Sequence, residues 1–224
     1  MDLSKSYEYF KPEKIGGRVH IIGCGSIGST VAENLARCGV KKFTLWDFDT
    51  VESHNLANQM FLARHVGKPK VEALLDILCE INDEVRQQTR LKPKGWNGEQ
   101  LSGYLFLCVD SIELRRRIVS EHIGSSNVLA VFDFRTGLED AQHFAADWSK
   151  PEQRKNLLDT MNFSDEEAKA ETPVSACNVE LGVCPTVRII SALGVANFMN
   201  FCNARPIRRV ILNDAFGFTL TAFE

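Results

Sequence analysis

Residues 18 to 28 read Arg-Val-His-Ile-Ile-Gly-Cys-Gly-Ser-Ile-Gly, a β-branched run that passes through three glycines into a helical pattern. No other stretch restricts the fold as tightly. Gly23, Gly25 and Gly28 have the G-x-G-x-x-G spacing: the first permits a tight turn, the second lets backbone approach a phosphate, and the third lets helix lie close on strand. With Ser26, the first turn of the following helix then offers its N–H groups to an anion. Glycines at this spacing also occur in ordinary βα turns. The weight comes from context: a strand precedes, a helix follows, and Asp47 lies about 20 residues on, where a ribose-binding acid belongs.

At 224 residues the chain is expected to form one α/β domain across residues 1 to 224, long enough to bury a full core. A net charge of -3 gives no general attraction for nucleic acid or anionic lipid, and Arg115-Arg116-Arg117 reads as a helix face. The start carries Asp2, Lys5, Glu8 and Lys11 with no apolar core between them, unlike a secretory leader. Ile189 to Cys202 is too short for a membrane span and includes Ser191, Asn197 and Asn200. A soluble, cytoplasmic protein is therefore expected, with neither nucleic acid nor membrane as partner. Seven cysteines make an odd number, and Cys24, Cys38, Cys79 and Cys108 sit in apolar contexts, so they read as reduced thiols. There is no C-x-x-C pair, and no zinc is expected.

In chain order, residues 1 to 17 form an N-terminal segment whose Tyr7, Tyr9 and Phe10 would pack on the domain or on a second subunit. After the first strand, Val31, Leu35 and Cys38 lie at helical spacing with Gly39 as a stop. Lys42 to Trp46 reads as the second strand. Thr50 to Lys68 lacks periodicity and reads as a long loop, a feature often tied to function. Pro69 fits the first turn of a helix whose buried stripe is Val71, Leu74, Leu75, Leu78 and Ile81, which places Lys70 at its start. A short strand is expected near Arg86 to Leu91. Tyr104 to Val109 reads as a central parallel strand ending on Asp110, and Val128 to Phe132 as another ending on Asp133. Ile112 to Ile123 between them reads as helix, and a short strand follows at Gln142 to Ala146. Residues 149 to 176 form a charged crossover, expected to be mobile with one helical piece. Thr186 to Cys202 is expected to be a buried helix, and Arg208 to Leu212 with Phe216 to Phe223 a closing antiparallel hairpin. The whole predicts a Rossmann-like doubly wound, mostly parallel sheet whose ligand lies beyond the carboxyl ends of its strands.

Five blocks in order resemble the ThiF, MoeB and HesA group of adenylyltransferases, whose fold is shared with the adenylation domains of ubiquitin-activating E1 enzymes. They are Gly23-Cys24-Gly25-Ser26-Ile27-Gly28, Asp47-Phe48-Asp49-Thr50-Val51-Glu52, Ser53-His54-Asn55-Leu56-Ala57-Asn58-Gln59, Gly67-Lys68-Pro69-Lys70-Val71-Glu72-Ala73, and Asp110-Ser111 with Arg115. The resemblance implies ATP and Mg²⁺ as cofactors, and transfer of AMP to the C-terminal carboxylate of a small ubiquitin-like or sulfur-carrier protein ending in Gly-Gly. It implies a homodimer. It also implies that Asp47 holds the ribose hydroxyls, that Asn55 and Lys70 contact phosphates, and that Asp110 coordinates the metal. Lys70 and Asp110 are thus the catalytic candidates, and Gly23, Gly25, Ser26, Gly28, Asp47, Asp49, Asn55, Asn58 and Lys70 the nucleotide-binding set. Such chemistry suits these types, because attack on an α-phosphate builds an anionic transition state that fixed cations stabilise.

Each residue has a plainer reading. Asp47 would serve NAD by the same ribose contact, Lys70 would be a solvated surface lysine, Asp110 a helix cap and Asn55 a turn residue. One departure stands out. The family loop reads Asn-Leu-x-Arg-Gln, and its arginine position is Asn58 here; loss of such an arginine costs roughly 10³ in rate by analogy with arginine fingers. Arg64, Arg135 or a partner subunit would have to supply the cation, or else the chain binds nucleotide as a non-catalytic scaffold subunit. Cys177 lies near where some E1-type relatives carry a thiol that takes the activated carboxylate as a thioester; Cys184, just before Pro185, competes for that role, and a buried small apolar residue is the alternative.

Overall fold

In the computed structural model, residues 1 to 171 and 181 to 224 are described. Cys177 lies outside the described residues. Eight strands form one sheet in the order β3-β2-β1-β4-β5-β6-β7-β8. These are β1 (Val19–Ile22), β2 (Phe43–Trp46), β3 (Arg90–Lys92), β4 (Gly103–Leu107), β5 (Val128–Thr136), β6 (Asp140–Asp147), β7 (Val210–Asp214) and β8 (Thr219–Phe223). β3 through β5 in sheet order are parallel, and β6, β7 and β8 extend the sheet antiparallel from β5. The expected doubly wound α/β sheet with a closing hairpin is what forms.

Alternation along the strands divides the core into two layers, since successive side chains point to opposite faces. Ile21, Phe106 and Phe132 face one layer with Val31, Leu35, Leu74, Ile190 and Phe198. Those partners come from α1 (Ser26–Arg37), α2 (Lys70–Ile81) and the long C-terminal helix. Ile22, Leu105, Leu107 and Val131 face the other layer, with Ile118, Val119, Trp148 and Leu157. Both faces of the central strands are covered, which explains their nearly continuous apolar sequence.

Several boundaries differ from the sequence expectations. Arg86 lies in α3 (Glu84–Gln88), not in a strand; the Asn82 carboxamide accepts the Glu84 N–H at 3.2 Å and starts a helical turn anchored by buried Val85. The strand begins only at Arg90. β4 ends at Leu107, so Asp110 belongs to the turn before α4 (Ile112–His122). β5 runs on to Thr136 because β6 pairs with it along its length, which puts Asp133 inside the strand instead of at its end. The first part of the charged crossover carries two helices where one helical piece was expected. It forms α5 (Pro151–Asp159) and α6 (Asp165–Glu171), held because Leu157 and Met161 bury beside Trp148 and Arg116 donates to the carbonyls of Met161 and Phe163. The last helix, α7 (Cys184–Cys202), starts two residues early with Pro185 in its first turn.

Of the three aromatics in the N-terminal segment, Phe10 packs on this chain while Tyr7 and Tyr9 stay exposed. Phe10 is buried, the Pro12 ring lies over Gly39, and the Asn203 amide donates to Tyr9 O at 3.1 Å. Among the described residues no helix is long and apolar enough to cross a membrane.

Candidate functional site at the carboxyl rim of the sheet

The three glycines have three separate physical reasons. Gly23 adopts φ +90°, where a side chain is strained, and a Cβ there would lie 2.7 Å from Cys108 O on the neighbouring turn. A Cβ on Gly28 would overlap Gly23 O, so only glycine lets α1 sit this close to β1. Gly25 has nothing within 4 Å of its Cβ position. It is the N-cap of α1, with no side chain capping it and no acidic residue in the first turn. A helix end left open in this way, at positive dipole potential, suits a phosphate.

Asp47, just past β2, faces that turn. Its Oδ2 accepts the Cys24 N–H at 2.6 Å and its Oδ1 the Asp49 N–H at 2.8 Å. Burial raises the Asp47 pKa, opposed by the N–H donors of Asp49 and Cys24. Burial also pushes the neighbouring Cys24 and Cys108 thiols up, so both are protonated and inert. Lys70 is no surface lysine. Its side chain is 9% exposed, its Nζ pairs with Asp49 Oδ2 at 2.8 Å, and its backbone N–H donates to Asp49 O at 2.9 Å. A cation at a helix start opposes the dipole; the Asp49 carboxylate offsets that while leaving half of itself in water.

The Thr50 to Lys68 loop is closed at its base by the Thr50–Pro69 bridge and by Val51 N–H to Lys68 O at 2.9 Å. Inside it, Ser53–Ala57 forms a short 3-10 turn in which buried Asn55 accepts the Glu52 N–H at 2.9 Å. Asn58 donates to Gly182 O at 3.4 Å. Both arginines weighed as its substitute are paired with other groups. Arg64 pairs with Glu80 on α2, and Arg135 with Asp133 at 2.8 Å and with Thr160.

Asp110 is exposed and its Oδ1 accepts the Ser111 N–H at 2.9 Å. The helix-cap role belongs instead to Ser111, whose Oγ accepts the Leu114 N–H at 3.1 Å, helped by Asp165, which takes the Ile112 N–H at 2.6 Å. Asp110 Oδ2 therefore has no protein partner among the described residues. Arg115 donates to Val109 O and so fixes the turn that presents Asp110. No group of three or more His, Cys, Asp or Glu side chains gathers among the described residues. One carboxylate fits Mg²⁺, which keeps several waters and binds through one or two carboxylates plus substrate phosphates.

Sequence reasoning missed two features. Asp133 is fully buried between Arg115 and Arg135, and Arg188 of α7 reaches Met60 in the loop. Arg115 with Asp133 and Arg188 with Met60 join different elements and leave no spacing signal, whereas Asp133 and Arg135 stand two apart on β5, a same-face spacing the sequence does show.

The turn of β1 into α1 lies between Asp47 beyond β2 and Asp110 beyond β4, at the point where strand order reverses. The sheet order and the glycine turn define a Rossmann-type fold, in which a crevice opens at this rim. The ThiF family model matches residues 15–219, and the chain belongs to the ThiF family. It is 31% identical over 134 residues to ubiquitin-like modifier-activating enzyme 5 of Drosophila virilis, covering 53% of this chain and 32% of that protein. To the Arabidopsis thaliana protein of the same name it is 43% identical over 67 residues, 30% of this chain and 16% of that one. Among solved structures, E. coli MccB with ATP superposes with a TM-score of 0.73 at 19% identity, covering 94% of this chain and 64% of MccB. PaaA superposes at 0.69 with 17% identity, over 95% and 65%. The chain thus spans at most about a third of the curated relatives' length in these matches, and the structural likeness establishes the fold.

Proposed function

We propose that this chain is an E1-like adenylyltransferase that joins AMP from ATP to the C-terminal carboxylate of a small ubiquitin-like or sulfur-carrier protein ending in Gly-Gly. The observation that carries it is a buried lysine, Lys70, held with a half-exposed carboxylate beside a ribose-type acid and an uncapped glycine-rich helix start. Relatives named as ubiquitin-like modifier-activating enzymes and a neighbour solved with ATP support the reading.

In this reading the backbone N–H groups of Gly25 and Ser26 bind phosphate. Asp47 takes the ribose hydroxyls on lone pairs its two N–H donors leave free. Lys70 exchanges Asp49 for phosphate oxygens, and Asn55 steadies the loop above them. Asp110 would hold Mg²⁺, which neutralises phosphate charge when bound. The carboxylate forms a bond to the α-phosphorus as the bond to the bridging oxygen breaks and pyrophosphate leaves; the fixed cations stabilise the crowded anionic transition state. The chain works as one unit, as a cytoplasmic homodimer, and sedimentation showing only monomer would remove the dimer.

ATP–pyrophosphate exchange with candidate carrier proteins tests the reaction. Exchange is expected, and it should fall sharply in Lys70→Ala and Asp110→Ala; unchanged exchange would sink both assignments. Asn58 favours a second reading, a nucleotide-binding scaffold subunit, because Arg64 and Arg135 are both engaged elsewhere. Carboxyl-AMP made by the isolated chain decides against it.

A further inference from the structure

The cations around the rim are nearly all committed. Lys70 pairs with Asp49, Arg115 and Arg135 share Asp133, and Arg64 pairs with Glu80. Arg188 differs. It is half-buried on α7, and its contacts among the described residues are two sulfur atoms: Nε donates to Cys184 Sγ at 3.4 Å, and Nη1 abuts Met60 Sδ. Sulfur is a weak acceptor, so among the described residues most of the five guanidinium donors have no good partner. Holding a cation partly out of water without an anion is costly, and an anion arriving there would offset that cost.

Helix packing places this guanidinium beside the glycine turn. Cys38, just past the end of α1, touches Met199 of α7 at 3.8 Å. Both helices rise equally per residue, so counting back the same number of positions from that contact reaches Ile27 on α1 and Arg188 on α7. The opposite end agrees: the Met60 N–H donates to Ser29 Oγ at 3.1 Å in the first turns of α1, and Met60 is the residue Arg188 touches. The link from Asn58 to Gly182 ties the loop to the start of α7 at the same corner.

We propose that Arg188 contacts the phosphate chain of the nucleotide, supplying from α7 the guanidinium that Asn58 does not provide from the loop. This rests on the nucleotide-binding reading above. Lys70 is already balanced by Asp49, so a triphosphate at this rim needs a further positive charge, and arginine matches phosphate oxygens with two parallel donors.

Calorimetry with ATP and NMR titration with adenosine, on the full chain, separate phosphate contacts from the rest. Arg188→Gln is expected to weaken ATP binding about tenfold or more with adenosine binding unchanged. Arg188→Lys should retain part of the affinity, and Asn58→Arg added to Arg188→Gln should regain it. Arg188→Met, which keeps the straight stem against Met60, replaces the glutamine variant if that one fails to fold. ATP affinity within about twofold of wild type, or equal losses for ATP and adenosine, would overturn the proposal. Loss of ATP binding in Lys70→Ala but not in Arg188→Gln leaves the nucleotide reading standing and removes only Arg188; a wild-type chain that binds no ATP removes both.

Discussion

Two charge clusters in this sheet are built from the same residue types and do opposite work. Inside, Asp133 is fully buried; one oxygen takes Arg115 and the other Arg135, at 2.8 Å. Arg115 also donates to Phe134 O at 2.6 Å and to Val109 O, and Arg135 to Thr160 O at 2.9 Å. All of these partners lie within the protein. At the rim, Lys70 is nearly as buried as Arg115, but its partner Asp49 stands half in water. The closed cluster ties β5 to α4 and α5, while the open one can trade a carboxylate for a phosphate. The two clusters differ in the face left to solvent, not in the presence of buried charge.

The largest effect should come from breaking the closed cluster. Asp133→Ala leaves two buried guanidiniums without their carboxylate and should cost about 3–5 kcal/mol in urea unfolding. A loss under about 1 kcal/mol would mean that water reaches the cluster. Gly28→Ala should follow, at about 3 kcal/mol, because the methyl overlaps Gly23 O and forces α1 off β1. Gly25→Ala is its open counterpart. With no atom within 4 Å of the new methyl, stability should change by less than about 1 kcal/mol, while ATP binding weakens about tenfold or more.

His143 reports on the closed region through pH. Its Nδ1–H donates to Asp133 O at 3.0 Å and its Nε2 accepts from Asn197 at 3.2 Å; burial holds its pKa down at about 4. Because the folded pKa lies below the unfolded value near 6.5, the unfolded chain binds the extra proton first. Its stability contribution is therefore present above pH 6.5 and lost as pH falls toward 4, by roughly 3 kcal/mol at most. His20, also held down at about 4 by burial, adds to the same slope. Urea unfolding across that range should show the loss, and His143→Gln should flatten it. The smallest stability change belongs to the open cluster: Lys70→Met frees Asp49 to water and should shift unfolding by under about 1 kcal/mol, yet lower ATP affinity about tenfold or more. Equal damage to stability and binding would show that Lys70 is architectural after all.

Much of the parallel half was legible in the sequence because its signals are local. The glycine spacing, the apolar runs at β1, β4 and β5 and the stripe after Pro69 each depend on neighbours within one turn or one strand. The C-terminal half was less legible. Asp133 read as a strand end, but β6 pairs with β5 beyond it and carries the strand to Thr136. The charged crossover read as carrying one helical piece, yet two helices form there, and Leu157 and Met161 find a core shared with Trp148. At Arg86 a local Asn82 turn overrode the strand pattern.

From the sequence alone came the strand–glycine–helix unit, the acid at Asp47, the lysine at a helix start and the gap at Asn58, since each is a matter of residue type at a fixed spacing. Tertiary structure decided which charges are spent and which are free. It buried Lys70 against Asp49, closed Arg115 on Asp133, and laid α7 alongside α1 so that Arg188 stands level with the glycine turn. The reason is physical: pairing and desolvation depend on which distant elements pack together, and side chains on different elements carry no spacing that a sequence can show.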